Sequence, residues 1–323
     1  MLGFIFALFC FTACEEEEEA VNEAQVLVEF LESTESPLMK DYVNTDMPSI
    51  MSATDLRTLN STGDVYIIDV RAAVDYATGH IPNAVNVALG DVVDHLESIN
   101  PDDYSKVALV CYSGQSAGWA TSLLRLLGYD NVFSLKWGMS SWHEDFSGPW
   151  ESNISNLYAT QFTSDVTEKG NAGDLPALST GFENGLDILQ TRVDALMEEG
   201  YGPANITAQE VFNAPESYYI VNYWPESQYL DPGHVPTAIQ YTPKETIKLD
   251  ADLRTLPADQ TIVVYCYTGQ TSSYMAAYLR LIGYDAKSLL FGANGMIYNE
   301  LVDNSMTHFA VETQVMGYDY ETE

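Results

Sequence analysis

Two uninterrupted apolar runs stand out along the chain, "KVALVC" ending at Cys111 and "TIVVYC" ending at Cys266. Both are rich in β-branched residues and have no polar alternation, as expected of strands buried on both faces of a parallel sheet. A helical period follows each. Ala120, Leu123, Leu124 and Leu127 fall at i, i+3, i+4 and i+7, and Met275, Tyr278, Leu279 and Ile282 repeat that spacing. Gly128 and Gly283 then predict the helix ends. Further upstream, "EAQVLVEFLES" and "GLDILQTRVDALMEEG" carry amphipathic patterns that predict one entry helix ahead of each strand-rich region.

The two halves are copies. "CYSGQSAGWATSLLRLLGYD" from Cys111 and "CYTGQTSSYMAAYLRLIGYD" from Cys266 align without gaps and agree at 10 of 20 positions, and "GHIP" at Gly79 and "GHVP" at Gly233 keep nearly the same separation. That separation is a domain length and not a solenoid period. The duplication covers roughly residues 45–150 and 200–310. The expected organisation is a leader with an acidic tether over 1–19, a first domain with its entry helix over 20–150, a polar, Gly-containing linker over 151–185, and a second domain with its entry helix over 186–323. The fold class is α/β, each domain a mostly parallel sheet flanked by helices on both faces, with the cysteine at the carboxyl edge where such sheets bind ligands.

Composition supplies material for two cores, with 46% of residues apolar. Charge restricts the partners: 13 Lys and Arg stand against 47 Asp and Glu, a formal net charge of −34. Nucleic acid and anionic membrane surfaces are excluded as partners on that ground, and the excess reads as a solvated acidic surface. The apolar run from Leu2 to Phe11 is too short to span a bilayer and reads as an export signal. Thr12 and Ala13 before Cys14 resemble a bacterial lipobox, which implies lipidation of Cys14, removal of Cys10 with the leader, and "EEEEE" as a solvated tether. The membrane contact is then the lipid anchor alone, and the location the bacterial cell envelope, on its periplasmic or cell-surface side. No His or Cys cluster has metal-ligand spacing, and neither metal nor cofactor is expected.

Cys111 and Cys266 are the remaining thiols, each at the matching place in its own repeat, which disfavours a disulfide between them. Each opens a tight turn into a helix N-terminus, with Gly114 or Gly269 letting the backbone curl. Consecutive N–H groups of such a turn converge on one point and stabilise an anion there. A thiolate or persulfide at that point is a nucleophile at neutral pH.

In the first repeat, Asp69, Arg71, Tyr76, Gly79, His80, Ile81, Pro82 and Ala84 lie in "DVRAAVDYATGHIPNAVNV", followed by the cysteine turn, Gly128–Tyr129 and a closing "WGMSSW" from Trp137. This order of motifs resembles the rhodanese-like sulfurtransferase family, in tandem. The resemblance implies a cysteine that accepts sulfane sulfur as a persulfide from a small donor such as thiosulfate or 3-mercaptopyruvate. It passes that sulfur to a thiol or cyanide-like acceptor, a protein sulfur acceptor included. It implies two six-residue cradles, Cys111, Tyr112, Ser113, Gly114, Gln115 and Ser116, and Cys266, Tyr267, Thr268, Gly269, Gln270 and Thr271. Neither contains a charged residue, and Ser116 and Thr271 offer hydroxyl groups at the sixth position. Asp69 and Arg71 are expected as a structural ion pair supporting the loop, and His80 and His234 as parts of the Gly-His-Ile/Val-Pro turn. The second repeat has Asn222 and Trp224 in place of Asp69 and Arg71. The alternative is a non-catalytic binding or sulfur-carrier module. The related cysteine phosphatases do not fit, because Ala117 and Ser272 stand where their arginine is needed. If Cys14 carries the anchor, Cys14→Ser releases the protein from the membrane fraction on cell fractionation, and unchanged retention rules lipidation out.

Overall fold

The computed structural model describes residues 21–323. The apolar run, Cys10, Cys14 and the acidic tether lie outside the described residues. Ten strands form two five-stranded sheets, every pairing parallel. In the first sheet β1 (Ile50–Met51), β2 (Val65–Asp69), β3 (Val85–Asn86), β4 (Lys106–Val110) and β5 (Val132–Leu135) lie in the order β1-β5-β4-β2-β3. In the second, β6 (Asn205–Ile206), β7 (Tyr219–Asn222), β8 (Ile239–Gln240), β9 (Ile262–Tyr265) and β10 (Ala286–Leu289) repeat it as β6-β10-β9-β7-β8. The two apolar runs are the central strands, β4 and β9, and both faces of each are covered, as their lack of alternation requires.

Alternation along the central strands divides the core into layers. Val107, Leu109 and Cys111 of the first repeat join Ile262 and Val264 of the second in one continuous inner core. Ala108 and Val110 face one outer layer, and Val263 and Tyr265 face another. The inner core is shared between the repeats because the two helices that follow the cysteines, Gln115–Leu126 and Gln270–Leu281, pack directly on each other. The predicted apolar face of each helix is buried, except for the half-buried Leu127 that caps the first, and so is the opposite face, where small and hydroxyl residues meet the other repeat. Ser122 Oγ donates to Tyr274 O at 2.9 Å, and Ser134 Oγ lies 2.9 Å from Tyr274 Oη. The entry helices, Glu23–Glu32 and Gly185–Glu199, also pack together. Glu32 Oε1 accepts from Leu249 N at 2.9 Å, so the first entry helix is tied to the second repeat.

The chain segments after each repeat are exchanged. Residues 155–163 run onto the second repeat, where Ser155 N donates to Asn294 O, Tyr158 N to Met296 O, and Thr163 pairs with His234 in both directions. The C-terminal segment returns to the equivalent places on the first repeat: Met316 N donates to Ser141 O, Tyr318 N to Trp142 O, and Glu321 pairs with His80 in both directions. Each strap therefore covers the Gly-His-Ile/Val-Pro turn of the other repeat. None of the described helices is long and apolar enough to cross a membrane.

Gly118 marks the closest approach of the seam. A Cβ there falls 2.8 Å from Ser273 Oγ and 3.0 Å from the Tyr274 ring. Glycine inside a helix ordinarily costs up to about 1 kcal/mol against alanine; here the contact requires it. Gly118→Leu, a good helix former, is therefore expected to destabilise the protein by about 1–3 kcal/mol through overpacking, read as a lower denaturant midpoint; a raised midpoint refutes the seam.

Candidate active site

Strand β4 delivers Cys111 to its carboxyl end, and Gly114, at φ +87°, turns the chain into the following helix. Strand β9, Cys266 and Gly269 at φ +76° do the same in the second repeat. Left-handed backbone at these turns is why glycine stands there. Cys111 Sγ accepts from Gly114 N at 3.2 Å and Ala117 N at 3.4 Å, and Cys266 Sγ accepts from Ser272 N at 3.3 Å. Both thiols are free and only 2% exposed. The amide convergence expected from the turn is present at Cys111, whereas Cys266 receives one amide only; these N–H groups lend each sulfur a partial positive environment without a cation.

A second turn props each loop from behind. Met139 N donates to Cys111 O at 2.8 Å and Ala293 N to Cys266 O at 3.0 Å. Gly138 and Gly292, at φ +60° and +52°, are obligatory there, since an added Cβ falls 2.4 Å and 2.3 Å from those same cysteine carbonyls. Ser140 Oγ and Asn294 Nδ2 hold the next carbonyls, Tyr112 O and Tyr267 O, at 3.0 Å and 2.7 Å. Sequence reasoning misses these supports except as part of "WGMSSW"; the glycine shared with "FGANGM" is the available signal. Over the first loop, Trp150 Nε1 donates to Ser113 O, and Trp150 packs with Trp137, Phe291 and Phe309 in an aromatic cluster drawn from both repeats.

The loop side chains divide the work. Tyr112 Oη donates to Asp75 and Tyr267 Oη to Gln228, and burial pushes both phenols up to about 12, so they stay protonated donors. Gln115 and Gln270 reach across the seam: Gln115 Oε1 accepts from Phe291 N at 2.9 Å, and Gln270 Nε2 donates to Ser134 Oγ at 2.9 Å and Leu135 O at 3.1 Å. The hydroxyls of Ser116 and Thr271 bond to neither sulfur. At Cys266 the nearest hydroxyl belongs to Ser272, one residue further on, with Oγ 3.6 Å from Sγ; Thr268 Oγ1 lies at 3.9 Å.

Asp69 and Arg71 form a buried ion pair beneath the first loop. Arg71 Nη2 donates to Asp69 Oδ2 and to Gly79 O, both at 2.6 Å, and the guanidinium lies 5.6 Å from the Tyr112 ring. In the second repeat Trp224 takes the place of Arg71 and stacks on Tyr267 at 5.0 Å, while Asn222 Nδ2 donates to Tyr265 Oη at 2.7 Å. The tyrosine pairing is preserved and the charge removed. His80 and His234 stack on Tyr76 and Tyr229, each with Nδ1 at the carbonyl of that tyrosine, at 2.9 Å and 2.8 Å, which makes them parts of the turn.

The rhodanese-like domain profile matches residues 52–145 and 208–296. A thiosulfate sulfurtransferase of Shewanella oneidensis is 31% identical over 94 residues, 29% of this chain and 91% of that protein. An adenylyltransferase and sulfurtransferase of Ogataea parapolymorpha is 27% identical over 77 residues, 24% of this chain but only 20% of that protein. Among solved structures, a thiosulfate sulfurtransferase from Pseudomonas aeruginosa aligns over 85% of this chain and 47% of its own, at 16% identity and a TM-score of 0.31. With more than half of the sequence inside the two matched stretches, and a cysteine loop at the carboxyl end of the central strand in each, the chain belongs to the rhodanese-like domain family and carries two such domains.

Proposed function

We propose that the protein is a sulfurtransferase that carries sulfane sulfur as a persulfide on Cys111 and Cys266. The observation that carries this reading is a free cysteine at each loop whose sulfur accepts backbone N–H bonds, two at Cys111 and one at Cys266. With thiosulfate as donor, the cysteine thiolate attacks the sulfane sulfur, a new S–S bond forms, and sulfite leaves with the electron pair of the old one. An acceptor thiolate or cyanide then attacks the outer sulfur, and the cysteine thiolate is regenerated. The loop amides stabilise the sulfur anion at both stages, since preorganised donors are most effective in a site that excludes water. A 3-mercaptopyruvate donor fits the same sequence, with pyruvate as the leaving product. Lipid anchoring through Cys14 would put this chemistry at the bacterial envelope.

Incubation with thiosulfate or mercaptopyruvate followed by peptide mass spectrometry is expected to show a one-sulfur adduct on each cysteine. Cys111→Ser and Cys266→Ser each remove one adduct, and the double variant is inactive; transfer at the wild-type rate by the double variant refutes the mechanism. A chain of −34 also repels an anionic donor during encounter. That repulsion is screened beyond a Debye length of about 10 Å at 0.1 M salt, whereas the short-range attraction of the loop amides is screened much less. kcat/KM for thiosulfate is therefore expected to rise between low and moderate ionic strength; a steady fall shows that a local basic patch governs binding.

A further inference from the structure

The two sulfurs do not have the same neighbours. Beside Cys111, position 117 is an alanine, and the sulfur receives backbone amides alone. Beside Cys266 the same position is Ser272, which presents both its N–H, at 3.3 Å, and its hydroxyl, at 3.6 Å. Ser272 Oγ lies 2.8 Å from Ser288 Oγ, and Ser288 Oγ donates to Gly269 O at 3.1 Å. Both serines are 0% exposed. Ser134, the counterpart of Ser288 in the first repeat, is instead engaged across the seam by Tyr274 Oη and Gln270 Nε2.

We propose that Ser272, oriented by Ser288, is a catalytic hydroxyl that stabilises the ionised sulfur of Cys266 and makes the two cysteines chemically unequal. The proposal rests on the sulfurtransferase reading for its role, but its chemistry is that of the thiol itself. In the neutral site the three hydrogens of this chain can each find an acceptor: the thiol donates to Ser272 Oγ, Ser272 to Ser288 Oγ, and Ser288 to Gly269 O. Once the proton has passed to solvent, the sulfur can only accept. Rotation of the Ser272 hydroxyl then directs its hydrogen at the sulfur, and Ser288 rotates to donate to Ser272 Oγ. Gly269 O is not stranded, because it keeps the bond from Ser273 N at 3.1 Å. Two hydroxyl rotations thus reverse the chain and supply a charge-assisted hydrogen bond, a stronger kind than a neutral one. The titratable groups acting on Cys266 are the phenols of Tyr201, Tyr223 and Tyr267, all pushed up by burial and uncharged through about pH 10, so they do not supply this effect.

The test is alkylation of the full chain by iodoacetamide, with Cys266 and Cys111 followed separately by peptide mass spectrometry. Ser272→Ala is expected to slow Cys266 about tenfold near pH 7, as befits one hydrogen bond to a charged group. The deficit should shrink near pH 10, where a thiol is ionised without help, and Cys111 should be unaffected. Ser288→Ala, which leaves Ser272 in place, is expected to slow Cys266 in the same pH-dependent way by a smaller factor. An unchanged rate at Cys266, or an equal loss at both pH values, overturns the proposal. If Ser272→Ala also disturbs Cys111, the Ser288→Ala profile decides: pH-dependent slowing supports the hydroxyl chain, and its absence refutes it. These rates do not depend on sulfur transfer, so a failure here is distinct from the absence of a persulfide adduct on Cys266.

Discussion

The packing of the two cysteine-loop helices against each other is the contact on which the rest of the molecule depends. Gly118 lets the helices approach until the seam excludes any larger side chain, and the approach brings two loops from separate sheets within reach of one glutamine each. A Cβ on Gly269 would fall 2.3 Å from Gln115 Oε1, and one on Gly114 would fall 2.9 Å from the Gln270 amide. Each sulfur cradle is thus built partly from its own turn and partly from the other repeat. A single core runs through both halves for the same reason, and the exchanged straps close it from outside.

Against that shared frame, the two loops are supported by different physics. The first rests on a buried ion pair, which is costly to desolvate and tolerable only because Arg71 is satisfied by Asp69 and by Gly79 O. The second rests on a neutral arrangement of Asn222, Tyr265 and a stacked Trp224, in line with the general finding that buried ion pairs can be replaced by well-packed apolar groups at little loss. The exchange is imperfect, since Trp224 Nε1 and Asn222 Oδ1 are buried without partners. Both repeats keep the placement of the tyrosine after the cysteine, and with it the path of the loop.

Charge acts on a longer scale than either support. The loops hold no ionised side chain, so the positive environment of each sulfur is local, supplied by N–H groups and, at Cys266, by a neighbouring hydroxyl, while the −34 of the chain repels anions at longer range.

Much is legible in the sequence because it is written in local pattern. The unbroken apolar runs specify the central strands, the helical periods with Gly128 and Gly283 specify the helices after the cysteines, and the spacing of the two cysteines exposes the duplication. The turn geometry around each sulfur can be anticipated for the same reason, since Gly114 and Gly269 mark a local backbone conformation. The seam cannot. Its contact surface on the first helix is Gly118 and Ser122, which have no hydrophobic signal and read as the solvent side of an amphipathic helix. Nor can the exchange of straps, because a segment's own residues do not say which of two equivalent turns it will cover. Ser272 illustrates the difference most directly: in the sequence it is only the residue that rules out a phosphatase arginine, and its hydroxyl acquires a sulfur on one side and Ser288 on the other when β10 comes to lie beside β9. Periodicity and turn chemistry are encoded within a few residues, whereas a hydrogen-bond partner 16 residues away in the chain is chosen by the packing of the sheet.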